Sequence, residues 1–106
     1  MISKNSKIFL AGHKGLVGSA IYKLLIRKGY KKIKTVDKKK LDLLNQNKVF
    51  NFLKKEKFKA VIIAAARVGG IKANNSFRAD FIYQNLQIQN NLIHGSYLTK
   101  VKKVIF

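Results

Sequence analysis

The sequence predicts an α/β fold in which a parallel sheet of about four strands is covered by helices. Short apolar runs alternate with segments whose apolar residues recur at helical spacing, in the order β-α-β-α-β-α-β. The run Ala60–Ala66 is apolar throughout, which is typical of a strand buried on both faces of a parallel sheet. Right-handed crossovers then predict the strand order 3-2-1-4, the first half of a doubly wound Rossmann fold plus one strand.

Each element follows from a local pattern of apolar, capping and breaking residues. Leu16–Lys28 carries one apolar stripe, Gly29 is suited to end it, and Asn45 is a fair N-cap. The predicted elements are strand Lys7–Ala11, helix Leu16 to about Lys28, strand Lys32–Asp37, helix Asn45 to about Lys57, strand Ala60–Ala66, helix from about Ala79 to Leu98 with Asn74, Asn75 and Ser76 as capping residues, and strand Val104–Phe106. Within the last helix Asn85, Asn90 and Asn91 form either a polar face or buried ties from helix to loop.

The first strand is followed by a glycine-rich bend and a helix start. Gly12, Gly15 and Gly18 have the spacing G-x-x-G-x-x-G. Unpaired N–H groups and the positive end of the dipole at a helix start attract a pyrophosphate. Glycine allows positive φ and close approach of a ligand, and the third glycine lets the helix pack on the strand. The bend therefore predicts dinucleotide binding, with an ordinary glycine-containing turn as the alternative.

Charged residues at the end of the second strand give opposing signals about the cofactor. Asp37 lies 37 − 18 = 19 positions beyond Gly18, where an acidic residue accepts the ribose 2′-hydroxyl of NAD. Lys38, Lys39 and Lys40 follow, and together with Lys14 they suit the 2′-phosphate of NADP. A charged surface turn without a cofactor role is the third interpretation.

The third strand ends in small residues and a glycine-bearing loop. Ala64, Ala65 and Ala66 leave room for a ligand above the end of the strand, or they simply pack tightly. The loop Arg67–Ile71 follows directly. In an open α/β sheet such loops line the crevice at the carboxyl ends of the strands, where ligands bind.

Composition limits the classes of protein and of partner that the sequence allows. The 106 residues are enough for one small domain, and no apolar run approaches the length of a membrane span. Cysteine is absent and the two histidines, His13 and His94, are far apart, so no metal site is predicted. The start lacks the apolar region of a signal peptide, so we expect a cytoplasmic protein. The net charge of +19 invites a nucleic-acid partner, but the lysines are spread along the chain without aromatic interleaving, so a solvated lysine-rich surface is favoured.

Four segments resemble the GDP-L-fucose synthase family of extended short-chain dehydrogenases/reductases. They are AGHKGLVGSAI, LDLLNQ, AAARVGGIKANN and ADFIYQNLQIQNNLIH, and the resemblance covers nearly the whole chain. It implies an NADP(H)-dependent enzyme that converts GDP-4-keto-6-deoxy-D-mannose to GDP-L-fucose by 3,5-epimerisation and 4-keto reduction. A homodimer and a nucleotide-sugar substrate are implied for the full-length family. The alternatives are another NAD(P)-dependent nucleotide-sugar epimerase or dehydratase, and a non-catalytic dinucleotide-binding module.

The resemblance also assigns roles to individual residues. Lys14 and Lys38 are implied as neighbours of the 2′-phosphate, and Asp42 and Leu43 as contacts of adenine. The pyrophosphate is held by Gly12, His13, Lys14, Gly15, Leu16, Val17 and Gly18, the cofactor's ribose and pyrophosphate are bordered by Ala64, Ala65 and Ala66, and the substrate is approached by Val68, Gly69, Gly70 and Ile71.

Two features depart from the family pattern. Asp37 beside a 2′-phosphate keeps NAD or dual use open, and Arg67 stands where the family has lysine. The catalytic serine and the Tyr-x-x-x-Lys helix of the family have no match, so we assign no catalytic residue. We therefore expect residues 1–106 to be a partial, truncated NAD(P)-binding Rossmann domain. We expect it to be inactive alone and prone to aggregation through exposed apolar surface and an open sheet edge.

Overall fold

The computed structural model describes residues 2–65 and 71–106, and in the second range it describes side chains from residue 79 onward. Within these ranges it contains four strands and three helices in strict alternation. These are β1 (Lys7–Ala11), α1 (Leu16–Arg27), β2 (Lys32–Lys34), α2 (Gln46–Glu56), β3 (Ala60–Ile63), α3 (Ile71–Leu98) and β4 (Lys103–Ile105). The predicted α/β fold with a four-stranded parallel sheet is confirmed.

The order of the strands in the sheet is β2-β1-β3-β4, so the predicted order 3-2-1-4 is wrong. Phe9 of β1 pairs with Lys34 of β2 on one side and with Val61 of β3 on the other. β3 lies between β1 and β4, and all four of its residues are buried because helices also cover both faces of the sheet. β2 has only three residues and its side chains are partly exposed, so it lies at the edge.

Helices cover both faces of the sheet because alternate strand residues point to opposite faces. On one face Ile8, Leu10, Ala60 and Ile62 pack with Ile21 of α1. On the other face a larger cluster brings together β1, β3, α2 and α3; it is centred on Phe9, Val49, Leu53, Val61 and Leu92. The chain runs outward from β1 to β2 and then returns past β1 to β3. The direction of winding therefore reverses between β1 and β3, as in a doubly wound sheet.

Several element boundaries differ from the predicted ones. Asn45 caps α2 as predicted, since its Oδ1 accepts a hydrogen bond from the backbone N–H of Lys48 at 3.1 Å. Gly29, with φ of +92°, follows the C-cap of α1. By contrast, α3 begins at Ile71, so the prediction that residues 74–76 cap this helix was wrong. Side-chain preferences for caps are weak, and Asn and Ser also occur inside helices when the backbone hydrogen bonds continue.

The strand ends are also shorter than predicted: β2 stops at Lys34 and β3 at Ile63. Ala64 still donates its backbone N–H to the carbonyl oxygen of Ala11 at 2.9 Å, and Val36, Asp37, Ala64 and Ala65 lie at the pocket beyond these strand ends. Among the described residues, no helix has the length and apolar character to cross a bilayer.

Candidate dinucleotide-binding site

A pocket of about 220 Å³ opens at the carboxyl ends of β1 and β3, where the winding of the sheet reverses. This is the crevice in which open α/β sheets bind their ligands. It is lined by Gly12, His13, Lys14, Gly15, Val36, Asp37, Lys38, Leu41, Asp42, Leu43, Leu44, Ala64, Ala65 and Ile88. The lining therefore comes from four separate stretches of the sequence and from α3.

Gly12 is required where the first strand leaves the sheet. Its φ is +90°, a conformation that residues with a side chain rarely adopt. A Cβ built on Gly12 would lie 2.5 Å from the backbone N of Ala65 and 2.6 Å from the carbonyl carbon of Ala64. The turn after β1 and the segment after β3 can therefore touch only because Gly12 has no side chain.

Gly18 and Gly15 serve different purposes. A Cβ on Gly18 would lie 1.8 Å from the carbonyl oxygen of Gly12, so the first turn of α1 lies directly on the glycine bend. This close contact is with the bend rather than, as predicted, with the strand. A Cβ on Gly15 would meet only ordinary contact, 3.7 Å from the same oxygen, and its φ is −75°. No feature of the fold requires glycine there, so its open face is free for a ligand.

The start of α1 is suited to an anion. Gly15 is its N-cap and provides no side-chain hydrogen bond, and the first turn holds no acidic residue. The unpaired N–H groups of that turn and the positive end of the helix dipole therefore lie at the pocket without competition from a carboxylate. The open Gly15 face and this uncapped helix start together fit a pyrophosphate.

One side of the pocket holds a cluster of charged and polar groups. Oδ1 of Asp37 lies 3.2 Å from Nζ of Lys14 and 3.5 Å from Nε2 of His13. Lys38 lines the same pocket. The cluster joins the glycine bend to the end of the second strand segment, the two regions that the sequence predicted to meet at the adenosine ribose.

The wall formed by Leu41–Leu44 is fixed by a buried asparagine. Asn91 of α3 is 2% exposed, and its Nδ2 donates to the carbonyl oxygen of Leu43 at 2.8 Å. Its Oδ1 accepts from Nε2 of Gln87 at 2.9 Å. The carboxylate of Asp42 accepts from the backbone N–H of Leu44 at 3.0 Å and stabilises the turn. Of the two interpretations of the asparagines, the buried tie is the one that applies to Asn91.

The structure brings most of the predicted site residues to this pocket. The predicted residues that line it are Gly12, His13, Lys14, Gly15, Asp37, Lys38, Asp42, Leu43, Ala64 and Ala65. Leu16 and Val17 lie on the exposed first turn of α1, and Gly18 is buried beneath the bend. The predictions for Ala66 and for Val68–Gly70 concern positions outside the described residues.

Four apolar lining residues were missed: Val36, Leu41, Leu44 and Ile88. Val36 and Leu41 flank the charged turn, and their position beside Asp37 was the available signal. Ile88 comes from α3, and nothing in the local sequence connects it to the glycine bend. Within the described ranges, no group of three or more His, Asp or Glu residues is placed to hold a metal ion.

Comparison with known proteins agrees with this geometry. Residues 8–106 match the NAD dependent epimerase/dehydratase family. The chain is 51% identical to GDP-L-fucose synthase 1 of Arabidopsis thaliana over 106 residues, which are 100% of this chain and 33% of that protein. It is 43% identical to GDP-L-fucose synthase of Escherichia coli over 100 residues, 94% of this chain and 31% of that protein.

A solved structure gives the same result. MlghC, a GDP-mannoheptose C4 reductase from Campylobacter jejuni with NADP bound, is 45% identical and superposes with a TM-score of 0.92, over 98% of this chain and 33% of that one. The chain thus spans about a third of the length of the relatives it matches. The strand order and the glycine bend are those of a dinucleotide-binding α/β fold, in agreement with the family match over residues 8–106. The chain therefore belongs to the NAD dependent epimerase/dehydratase family.

Proposed function

We propose that this chain is the part of an NADP(H)-dependent GDP-sugar enzyme that binds the adenosine and pyrophosphate of the cofactor. The observation that carries the proposal is the pocket at the reversal of the sheet, where an open glycine face meets an uncapped helix start. Residues 1–106 are on this proposal a partial NAD(P)-binding Rossmann domain.

Each part of the pocket suits one part of the cofactor. The bend from Gly12 to Gly18 holds the pyrophosphate through backbone N–H groups, and Lys14 and Lys38 bind the 2′-phosphate. Asp42 and Leu43 contact the adenine from the wall that Asn91 holds in place. Ala64 and Ala65 border the ribose and pyrophosphate beside Gly12. When bound, the nicotinamide supplies the hydride for reduction of a ketone.

The reaction proposed for the whole enzyme is that of the GDP-L-fucose synthases. It is the epimerisation and reduction of GDP-4-keto-6-deoxy-D-mannose to GDP-L-fucose. The proposal rests on 51% and 43% identity to proteins of that name from Arabidopsis thaliana and Escherichia coli. No described residue is assigned to proton transfer, so we expect no turnover from residues 1–106 alone. A cytoplasmic location is also proposed for this chain.

A second candidate is reduction of a different GDP-sugar. The Campylobacter jejuni relative named as a GDP-mannoheptose C4 reductase is as similar to this chain as the Escherichia coli fucose enzyme. Both names specify a GDP-linked sugar, but the two sugars differ. The test is a chimera in which this chain replaces the matching third of the Escherichia coli enzyme, assayed against both GDP-keto-sugars.

For the full-length enzyme, not for residues 1–106 alone, a homodimer is proposed through the outer face of α3. Ile82, Tyr83, Leu86 and Tyr97 are each more than half exposed. Among residues 79–98 the only charged side chain is that of Asp80, in a chain of net charge +19. Two copies can therefore approach at this face without lysine repulsion. Leu86→Lys should convert a dimer to a monomer in sedimentation velocity, and an unchanged mass would refute the interface.

The cofactor proposal is tested by titrating NADPH into the 106-residue chain with calorimetric detection. Gly15→Ala and Gly15→Ser should each weaken binding at least about tenfold, the factor that 1.4 kcal/mol represents, by filling the open face. Serine is a good N-cap and alanine a poor one, so only the alanine variant should lose stability. Unchanged NADPH affinity in the serine variant would contradict the proposed pyrophosphate site.

A further inference from the structure

The fold gathers lysines at the end of the sheet opposite the dinucleotide pocket. Parallel strands all begin at one end, and each of the four begins with a lysine or directly after one: Lys7, Lys32, Lys59 and Lys103. An open cleft of about 650 Å³ lies at this end, between the connection from α2 to β3 and the connection from α3 to β4. We call it the basic cleft, because its lining holds no acidic residue and five lysines, Lys54, Lys57, Lys59, Lys100 and Lys102.

The cations of the basic cleft lack partners within the described part of the chain. All five lysines are exposed, and no ion pair between described residues reaches their ammonium groups. Glu56, the acidic residue nearest to them in the sequence, is bound to Lys7 at 2.8 Å instead. Helices α2 and α3 end here, and each C-terminus carries about half a negative charge, so about four of the five positive charges remain uncompensated. The cleft therefore attracts a ligand with several negative charges.

Two of these lysines lie where helices commonly use glycine. Lys57 follows α2 with φ of +57°, and Lys100 follows the end of α3 with φ of +62°. Left-handed backbone is unfavourable for a residue with a side chain, and glycine most often occupies it at a helix end. Within the described ranges, these are the only residues other than glycine with a positive φ. A residue type that is unfavourable for the backbone is expected where its side chain serves a ligand.

A backbone link holds the two connections together. The carbonyl oxygen of Lys59 accepts hydrogen bonds from the backbone N–H groups of Lys102 at 3.0 Å and Lys103 at 3.2 Å. The basic cleft is therefore formed before a ligand arrives, as is usual for binding sites. Replacing the side chains of Lys59 and Lys102 leaves the link intact, because it uses backbone atoms alone.

The apolar part of the basic cleft decides among anionic partners. Phe58 is 4% exposed and packs on the rings of Phe9 at 5.3 Å and Phe52 at 5.5 Å. Phe50 is half-buried, and Leu98 is 51% exposed. Because neither phenylalanine of the cleft is exposed, the cleft offers no aromatic platform on which a nucleic-acid base could stack. A membrane surface takes up apolar side chains that protrude, whereas these two rings are recessed beside exposed lysines. The arrangement suits one apolar side chain flanked by carboxylates.

We propose that the basic cleft docks an acidic segment of a partner protein through one apolar anchor residue. The anchor contacts Leu98 and the accessible part of Phe50, and carboxylates on both sides of it bind Lys54, Lys59 and Lys102. The dinucleotide pocket lies at the opposite end of the sheet, so both sites can be occupied together. This inference does not depend on the proposed function.

The first test measures binding of the 106-residue chain to a labelled peptide with one leucine between two short runs of glutamate. Fluorescence anisotropy is recorded at about 0.15 M salt, which screens long-range attraction. A second peptide carries serine in place of the leucine. The leucine peptide should bind about tenfold more tightly, because its anchor leaves water on docking. Equal affinities would show attraction by charge alone and would overturn the docking cleft.

Two double variants of equal charge locate the site. Lys59→Gln with Lys102→Gln removes two cations of the basic cleft, while Lys23→Gln with Lys48→Gln removes two exposed cations outside it. The cleft variant should bind the leucine peptide about three- to tenfold more weakly than the control variant, the range that two exposed pairs support. Circular dichroism checks that both variants are folded. The same affinity in both would refute the assignment to this cleft.

A further variant separates binding from stability. Lys57→Gly should raise the melting temperature, because glycine accepts the left-handed backbone, and should weaken peptide binding about two- to fivefold. A higher melting temperature with unchanged affinity would contradict a role of Lys57 in docking. A thymidine oligonucleotide or a phosphatidylserine vesicle that binds more tightly than the peptide, and loses more affinity in the cleft variant, would assign the cleft to a nucleic acid or a membrane and overturn the proposal.

Discussion

Replacing Asn91 by alanine tests whether α3 holds the Leu41–Leu44 wall of the pocket. The buried amide donates to the carbonyl oxygen of Leu43 and accepts from Gln87. Alanine removes both hydrogen bonds and leaves the Leu43 carbonyl without this donor. Asn90 is the matched control, because it is the same residue type one position earlier on the same helix and its side chain is exposed.

The size of the effect follows from the two sites. Leaving a buried acceptor unsatisfied costs about 1–3 kcal/mol. Alanine also has a higher helix propensity than asparagine, which raises the free energy of unfolding by at most about 0.7 kcal/mol at either position. We therefore expect Asn91→Ala to lower the free energy of unfolding by about 0.3–2.3 kcal/mol, and Asn90→Ala to leave it equal or slightly higher.

Urea unfolding followed by far-UV circular dichroism measures both variants. If the tie positions the wall, Asn91→Ala should also weaken NADPH binding under conditions where the variant remains folded, because Leu43 lines the pocket. Equal free energies of unfolding for the two variants, within about 0.5 kcal/mol, would refute the buried tie. A loss of stability with unchanged NADPH affinity would show that the tie supports the fold but not the site.

Three other substitutions have directions fixed by the structure. Gly18→Ala should destabilise the fold by about 3 kcal/mol in urea unfolding, because its Cβ would lie 1.8 Å from the carbonyl oxygen of Gly12; a loss under 1 kcal/mol would contradict that contact. The hydrogen bond from Lys7 is the largest influence on Glu56 and lowers the pKa of its carboxyl below the ordinary 4.5. The pair therefore stabilises the fold above pH 4.5, and this contribution is lost as the pH falls through the lowered pKa. Glu56→Gln should therefore flatten the acid side of a stability-against-pH curve, and an unchanged curve would refute the link. Ser96→Ala should raise the melting temperature by a few degrees, since the buried Ser96 hydroxyl has no hydrogen-bond partner among the described residues, and a lower temperature would reveal one.

The glycine bend could be predicted from the sequence because its requirements are local. A strand end, three glycines and a helix start lie within fourteen consecutive residues, Lys7–Ala20. Each glycine has a conformational or steric reason that the residue type alone suggests. The structure adds that the three glycines have different roles. Gly12 and Gly18 are required by contacts within the chain, while Gly15 is not.

The strand order could not be derived in the same way, because it depends on contacts between distant segments. The crossover rules fix the hand of each connection but leave open which side of β1 receives β3. The continuous apolar run of β3 indicates burial on both faces, which does not identify the strands beside it. Ile88 could not be predicted for the same reason, because it is far from the glycine bend in the sequence and reaches the pocket only when α3 packs on β3.

The distribution of charge distinguishes the pocket from the lysine-rich surface. With 23 basic and 4 acidic residues, the whole chain attracts anions without discriminating among them. Two of the four acidic residues, Asp37 and Asp42, line the pocket beside Lys14 and Lys38. A carboxylate repels a polyanion but can accept a hydroxyl, so it gives this region a selectivity that lysines alone lack. Two of the rarest charged residues of the chain thus lie at the pocket, where the proposed cofactor would be recognised by hydrogen bonds as well as by charge.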